Sequence, residues 1–242
     1  MSPPIERGVS STTDLHIHTN YSDGYPTPQA VLAHVQAMGH PRMIAITDHN
    51  TIEGAVQAVA LAPRFGVAVI VGEEVSSQGG HILGLFLQER VPPGLSAAET
   101  ISAIHYQGGL AIAPHPFYRA RRSRGTATRP AMESVHQLAG ELPFDAIEVI
   151  NGTPFLGPAN RRAQQFNRVC ARRGELGSSD AHILAAIGKA YTQFPGETAE
   201  DLRCAILNGT TAARAQRYRV PELLRYGRVW LRLSLAHWGP AW

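Results

Sequence analysis

Seven short apolar runs, at residues 13–18, 43–47, 67–71, 81–87, 110–113, 146–150 and 175–179, alternate along this chain with stretches of helical periodicity. Most are continuously apolar rather than alternating, which is the pattern of strands covered on both faces of a parallel sheet. The stretches between them carry helix signals. Thr27 and Pro28 supply an N-cap and a first-turn proline for a helix that stops at Gly39, Ser96 and Glu99 form a capping box, and Thr198 with Asp201 opens a helix followed by Gly209. Alternating β and α units allow an open sheet or a closed barrel. At 242 residues, with no repeat, low-complexity tract or long linker, the chain reads as a single domain near the ~250 residues of a typical eight-stranded α/β barrel.

Polar residues favour the barrel. Histidines and acids stand where successive apolar runs end: His16 and His18, Asp48 and His49, Glu73 and Glu74, His115, Glu148, then Asp180 and His182. In an α/β barrel those ends converge on one rim, where active sites lie. The first cluster, D-L-H-I-H-T-N-Y-S-D-G at residues 14–24, puts His16 and His18 on one face of a strand and Leu15 and Ile17 on the other. Together His16, His18, Asp23, His49, Glu74, His81, His115, Asp180 and His182 offer nine nitrogen and oxygen donors. That is too many for one tetrahedral ion and suits two or three ions sharing a carboxylate. The absence of thiolates from the set points to zinc, manganese or iron(II).

Five ordered motifs, D-L-H-I-H-T with S-D-G, T-D-H-N, G-E-E-V-S, A-P-H-P and S-S-D-A-H, resemble those of the PHP (polymerase and histidinol phosphatase) family from about Thr13 to Thr192. The resemblance implies a distorted seven-stranded β/α (TIM-like) barrel with a centre of two or three divalent metal ions that hydrolyses phosphoesters. Carried over, His16, His18 and Asp180 hold one ion, Glu74 bridges to a second bound by His81 and His115, and Asp23, His49 and His182 hold a third. The family's Gly-x-Glu spacing selects Glu74 over Glu73. Asp14 and Asp48 are expected to orient ligand imidazoles or cap the following helix. The expected reaction is in-line attack of a metal-bound hydroxide on phosphorus, with no protein nucleophile.

Asp23, where histidinol-phosphate phosphatase relatives tend to carry histidine, resembles the branch acting on nucleotides and nucleic-acid ends. A nucleotide or short oligonucleotide is therefore the expected substrate, without stable duplex binding. Arg119, first in an arginine-rich stretch with Arg121, Arg122, Arg124 and Arg129, is the expected phosphate contact, and Asn151 a second substrate contact. Alternatives are a histidinol-phosphate or other small phosphomonoester phosphatase, an amidohydrolase-type C–N hydrolase, and a non-catalytic metal-stabilised interaction domain. The amidohydrolase reading needs a bridging carbamylated strand lysine, and the only lysine, Lys189, follows every candidate ligand in the sequence I-G-K-A-Y-T, which disfavours it.

Residues 1–12 read as an extension, 13–219 as the barrel and 220–242 as an amphipathic basic segment. In that segment Arg225, Arg228 and Arg232 share one helical face and Leu224, Leu231, Leu235 and Trp238 another. It is expected to pack on the barrel or a partner, with contact to an anionic membrane as the alternative. Residues 1–8 do not read as a signal peptide and no apolar run approaches membrane-spanning length, so a cytoplasmic protein is expected. Cys170 and Cys204 read as buried structural thiols, and His34, His105 and His136 as residues of helical segments, with His40 and His237 outside any motif.

Overall fold

The computed structural model describes residues 9–118, 134–224 and 226–228. In chain order the elements are β1 (Ser10–Asp14), α1 (Pro28–Met38), β2 (Met43–Ile46), α2 (Glu53–Leu61), β3 (Ala68–Ser77), β4 (Gly80–Leu85), α3 (Ala97–Tyr106), β5 (Leu110–Ala113), α4 (Leu138–Glu141), β6 (Ala146–Asn151), α5 (Gly157–Phe166), β7 (Gly174–Ser178), β8 (Ala190–Pro195), α6 (Ala199–Leu207) and β9 (Ala212–Ala215). The capping signals act as read: the Thr27 side chain accepts from Ala30, Gly39 takes a left-handed conformation, and both capping boxes form. The arginines from 119 to 129, and Arg225, Leu231, Arg232, Leu235, His237 and Trp238, lie outside the described residues.

The strands form one sheet in the order β7-β6-β5-β4-β3-β2-β1-β8-β9. One apolar cluster takes Leu15, just past β1, and residues from each of β2 to β8, including Ala45, Ile70, Leu83, Ile112, Ala146, Leu176 and Phe194. A single cluster fed by so many strands is the enclosed face of a strongly curved sheet. Leu202, Ala205 and Ile206 of α6 join it and close one end. Two further clusters lie outside the sheet, one under α1 and α2 and the other under α3, α4 and α5. The sheet is thus a nearly closed, distorted barrel, and the parallel bridge between Ile17 and Ala181 joins the segment after β1 to the segment after β7.

Two features depart from an all-parallel, seven-stranded reading. β3 and β4 form an antiparallel hairpin instead of a β-α unit, because Gln78 and Gly79 make a two-residue connection between Ser77 and Gly80. β8 and β9 are additional strands, with β8 antiparallel to β1. β8 alternates buried and half-buried side chains and carries Thr192 and Gln193 among its apolar residues, so it lacks the continuous apolar run used to find the others. β1 also begins earlier than expected, at Ser10. Cys170 and Cys204 are exposed, contrary to the buried reading, since Leu202, Ala205 and Ile206 form the inner face of α6 and Cys204 lies off it. His34 and His105 are helical as expected, whereas His136 occupies a turn ahead of α4.

Gly80 has φ 122°, and a Cβ there would lie 2.7 Å from the Ser134 backbone carbonyl carbon. Gly80→Ala is expected to destabilise the protein by about 1–3 kcal/mol through backbone strain and this contact, read as a lower urea midpoint.

Candidate metal centre

The segments that follow the parallel strands are stitched together by backbone hydrogen bonds. The Thr47 amide donates to Ile17, the His18 amide to Ala181 and the Ala181 amide to His16, while the Glu74 amide donates to Asp48 and the Asn50 amide to Glu74. This stitching keeps alternate side chains turned the same way beyond the regular strands: Leu15 and Ile17 are fully buried in apolar clusters, and His16 and His18 face the rim. His81 reaches the same rim because β4 runs backwards, so its first residues lie beside the end of β3, with His81 paired to Ser76.

All nine expected donors come together. The Glu74 carboxylate is their hub. Its Oε1 lies 3.0 Å from His81 Nδ1 and 3.1 Å from His115 Nε2, and its Oε2 lies 3.2 Å from His16 Nε2, 3.3 Å from His18 Nε2 and 3.3 Å from His49 Nδ1. Asp180 Oδ1 approaches His16 and His18 at 3.5 and 3.3 Å. Asp23 approaches His182, His18 and His49 at 3.1, 3.5 and 3.7 Å. Four compact donor sets result: His16, His18 and Asp180; His16, Glu74 and His115; His49, Glu74 and His81; and His18, Asp23, His49 and His182. The first set is the one the resemblance implies, and Glu74 Oε1 faces both His81 and His115; in addition His81 groups with His49, His115 with His16, and His18 joins the Asp23 set through its other ring nitrogen.

The donor chemistry fits divalent ions. Both ring nitrogens of His18 and Nδ1 of His81 are buried close to carboxylates yet make no hydrogen bond of proper geometry. Buried polar atoms of this kind are rarely left unmatched, and a cation is the partner that suits neutral imidazoles ringed by carboxylates. In the metal-free chain the carboxylates hold protons on their neighbours instead. Burial opposes charge on His18, but Asp180 and Glu74 outweigh it and raise its pKa to about 10. Burial likewise opposes ionisation of Glu74 and Asp180, yet the surrounding imidazoles hold both well below the usual carboxylate range. His49 moves the other way, to about 4, chiefly through burial.

The supporting residues differ from those expected. Asp14 accepts from the Ser179 and Gly188 amides at 2.9 and 2.8 Å, and Asp48 from the Thr19 amide and the Thr19 and Ser22 hydroxyls at 2.7, 2.6 and 2.6 Å. Both acids therefore brace backbone and loop rather than imidazoles. Glu148 braces the donors: its Oε1 lies 3.1 Å from His16 Nδ1, and its Oε2 accepts from the His115 amide at 2.7 Å and from Asn151 at 2.9 Å. Asn151, expected to touch substrate, is buried and also donates to Asp180 Oδ2 at 3.1 Å, while its Oδ1 accepts from the Thr153 amide. Its polar atoms are committed within the protein. The position of Glu148 at a strand end was the only sequence signal for its role. Glu73 turns away, accepting from the Val91 amide at 2.8 Å.

Access is one-sided. His16, His18, Glu74 and Asp180 are almost wholly buried, whereas the Asp23 side chain is half exposed and those of His49 and His182 are partly so.

A barrel whose rim gathers this donor set is a scaffold able to hold metal ions. A PHP-domain model matches residues 14–147 and a PHP-associated model residues 157–211, and the chain belongs to the PHP family of metal-dependent phosphoester hydrolases. It is 40% identical over 149 residues to the uncharacterized protein MJ1587 of Methanocaldococcus jannaschii, covering 57% of this chain and 80% of that protein. It is 39% identical over 83 residues to the 3',5'-nucleoside bisphosphate phosphatase of Chromobacterium violaceum, covering 33% of this chain and 29% of that protein. The fold matches a two-domain protein containing a predicted PHP-like metal-dependent phosphoesterase from Bacteroides vulgatus, with TM-score 0.66 and 19% identity over 89% of this chain and 68% of that one. Among the described residues no helix is long and apolar enough to cross a membrane.

The raised His18 pKa gives a signed pH dependence. In metal-free protein its stabilisation is complete below pH 6.5 and is lost as pH rises through about 10. Melting temperatures of metal-free protein should fall over that interval. Because ligand imidazoles must be unprotonated, zinc titration at neutral pH should release protons, read by calorimetry in buffers of different ionisation heat. Equal heats in all buffers would refute the raised pKa.

Proposed function

We propose that this chain hydrolyses a phosphoester of a nucleotide or short oligonucleotide. The observation that carries the hydrolytic reading is the Glu74 hub, which brings donor sets together so that ions would share one carboxylate. The nine residues His16, His18, Asp23, His49, Glu74, His81, His115, Asp180 and His182 are the proposed holders of two or three zinc, manganese or iron(II) ions. Such ions lower the pKa of water to near neutrality and polarise a phosphoryl group. The protein's own residues supply the rest. Glu74 and Asp180 stay ionised, Glu148 fixes the ring of His16 through Nδ1, and Asn151 fixes Glu148 and Asp180 relative to each other. Substrate would enter beside Asp23, on the exposed side of the cluster.

The nucleotide assignment is supported by the likeness to a nucleoside bisphosphate phosphatase and by the aspartate at position 23. The completeness of the donor set weighs against a purely structural domain. Lys189 weighs against a lysine-bridged amidohydrolase, since its Nζ binds Glu222 at 2.7 Å and lies 5.3 Å from the Tyr218 ring centre.

Metal analysis paired with a panel of nucleotides, 3',5'-bisphosphates, oligonucleotides and histidinol phosphate tests the assignment. Chelator-sensitive hydrolysis of nucleotide substrates is expected, and exclusive hydrolysis of histidinol phosphate would overturn it. Glu148→Gln is expected to lower activity or metal affinity by about 10–100-fold. Glu74→Gln and Asp180→Ala should lose more, with the circular-dichroism spectrum retained; full activity in either would remove that residue from the centre.

A further inference from the structure

The loop from β6 to α5 joins the centre to the C-terminal helical segment, residues 220–224 and 226–228. At its centre Thr153 donates its hydroxyl to Asp180 Oδ2 at 3.4 Å, donates its amide to Asn151 Oδ1 at 2.9 Å, and shares a hydrogen bond with Tyr226. Just before it, the Gly152 carbonyl accepts from the Tyr218 hydroxyl at 3.0 Å, and the Tyr218 and Tyr226 rings meet edge-on at 6.2 Å. The loop is therefore anchored on both sides, against an acid of the centre and against two tyrosines.

Phe155 is the residue of this loop that the anchoring leaves in water. It is 94% exposed, although its neighbour Leu156 is buried. Its φ is 72°, in the left-handed region that bulky side chains avoid. Strained backbone of this kind concentrates at functional sites. Two residues of chain place its Cα within about 7 Å of that of Thr153, which itself touches Asp180. An exposed aromatic ring at that remove from a phosphate centre suits the planar base of a nucleotide, because every base offers a face to stack on.

We propose that Phe155 is a specificity-determining residue on which the base of the substrate stacks; this rests on the nucleotide reading above. Stacking is tolerant of base identity, so Phe155 would favour substrates with a base over those without one and discriminate weakly among bases. The anchors at Thr153 and Gly152 fix the backbone that leads to Phe155 beside the centre.

The test compares kcat/KM for adenosine 5'-monophosphate and ribose 5-phosphate, which carries an anomeric hydroxyl where the nucleotide carries its base, in metal-loaded wild type, Phe155→Ala and Phe155→Trp. The wild type is expected to prefer the nucleotide. Phe155→Ala should lower the preference about ten-fold, mainly through KM for the nucleotide, and Phe155→Trp should retain it. An unchanged preference in Phe155→Ala would overturn the stacking role while leaving the nucleotide reading intact. The same result with a shift from dimer to monomer would assign Phe155 to a contact between copies. Hydrolysis of neither compound by wild type, with activity on histidinol phosphate, would overturn both readings.

Discussion

The centre depends on one buried carboxylate facing five imidazoles. Glu74 lies within 3.3 Å of His16, His18, His49, His81 and His115, and it is only 1% exposed. Alone, either a buried carboxylate or a buried imidazolium would be costly; together they hold each other in place. The same arrangement makes protons and metal ions competitors for one set of lone pairs. Glu148 and Asn151 add order without adding donors, linking His16, the His115 backbone and Asp180 into one hydrogen-bonded frame. Left-handed backbone at His115 and Asp180, with φ of 27° and 52°, belongs to the same frame.

The barrel positions this frame through short extensions of its strands. His16 and His18 lie beyond the end of β1, and the segments from 16 to 18, at 47 and at 181 are held by backbone bonds to one another. The reversed direction of β4 brings His81 to a rim otherwise built from segments that follow parallel strands. A helix in place of the β3–β4 hairpin would put the strand's first residue at the opposite end of the barrel.

What could be read from the sequence follows from how local each signal is. The alternating pattern around Leu15 and Ile17 assigns a facing to His16 and His18 without tertiary information, and the capping residues of α1, α3 and α6 mark helix starts for the same reason. The direction of β4 was not legible, because an apolar run looks the same whichever way it runs. Nor was β8, whose Thr192 and Gln193 interrupt the apolar signal. The partition of donors depended on distances across the rim: spacing along the chain says nothing of whether His81 lies nearer His49 or His115. Glu148 carried a positional hint, but its partner His16 is 132 residues away. Exposure of Cys204 turned on the rotation of α6, which its short apolar pattern did not settle.

The closing seam has a consequence for the order in which the protein is made. Asp14 accepts from the Ser179 amide across 165 residues of sequence, and Ile17 bridges Ala181. Pairing so distant must wait for the chain between to be synthesised and to close a long loop. β1 and the segment after it therefore emerge from the ribosome with two histidines of the centre and without the segment after β7 that they pair with. The full centre can exist only after the segment carrying Asp180 and His182 has left the exit tunnel, which makes its assembly a late event in the appearance of the chain.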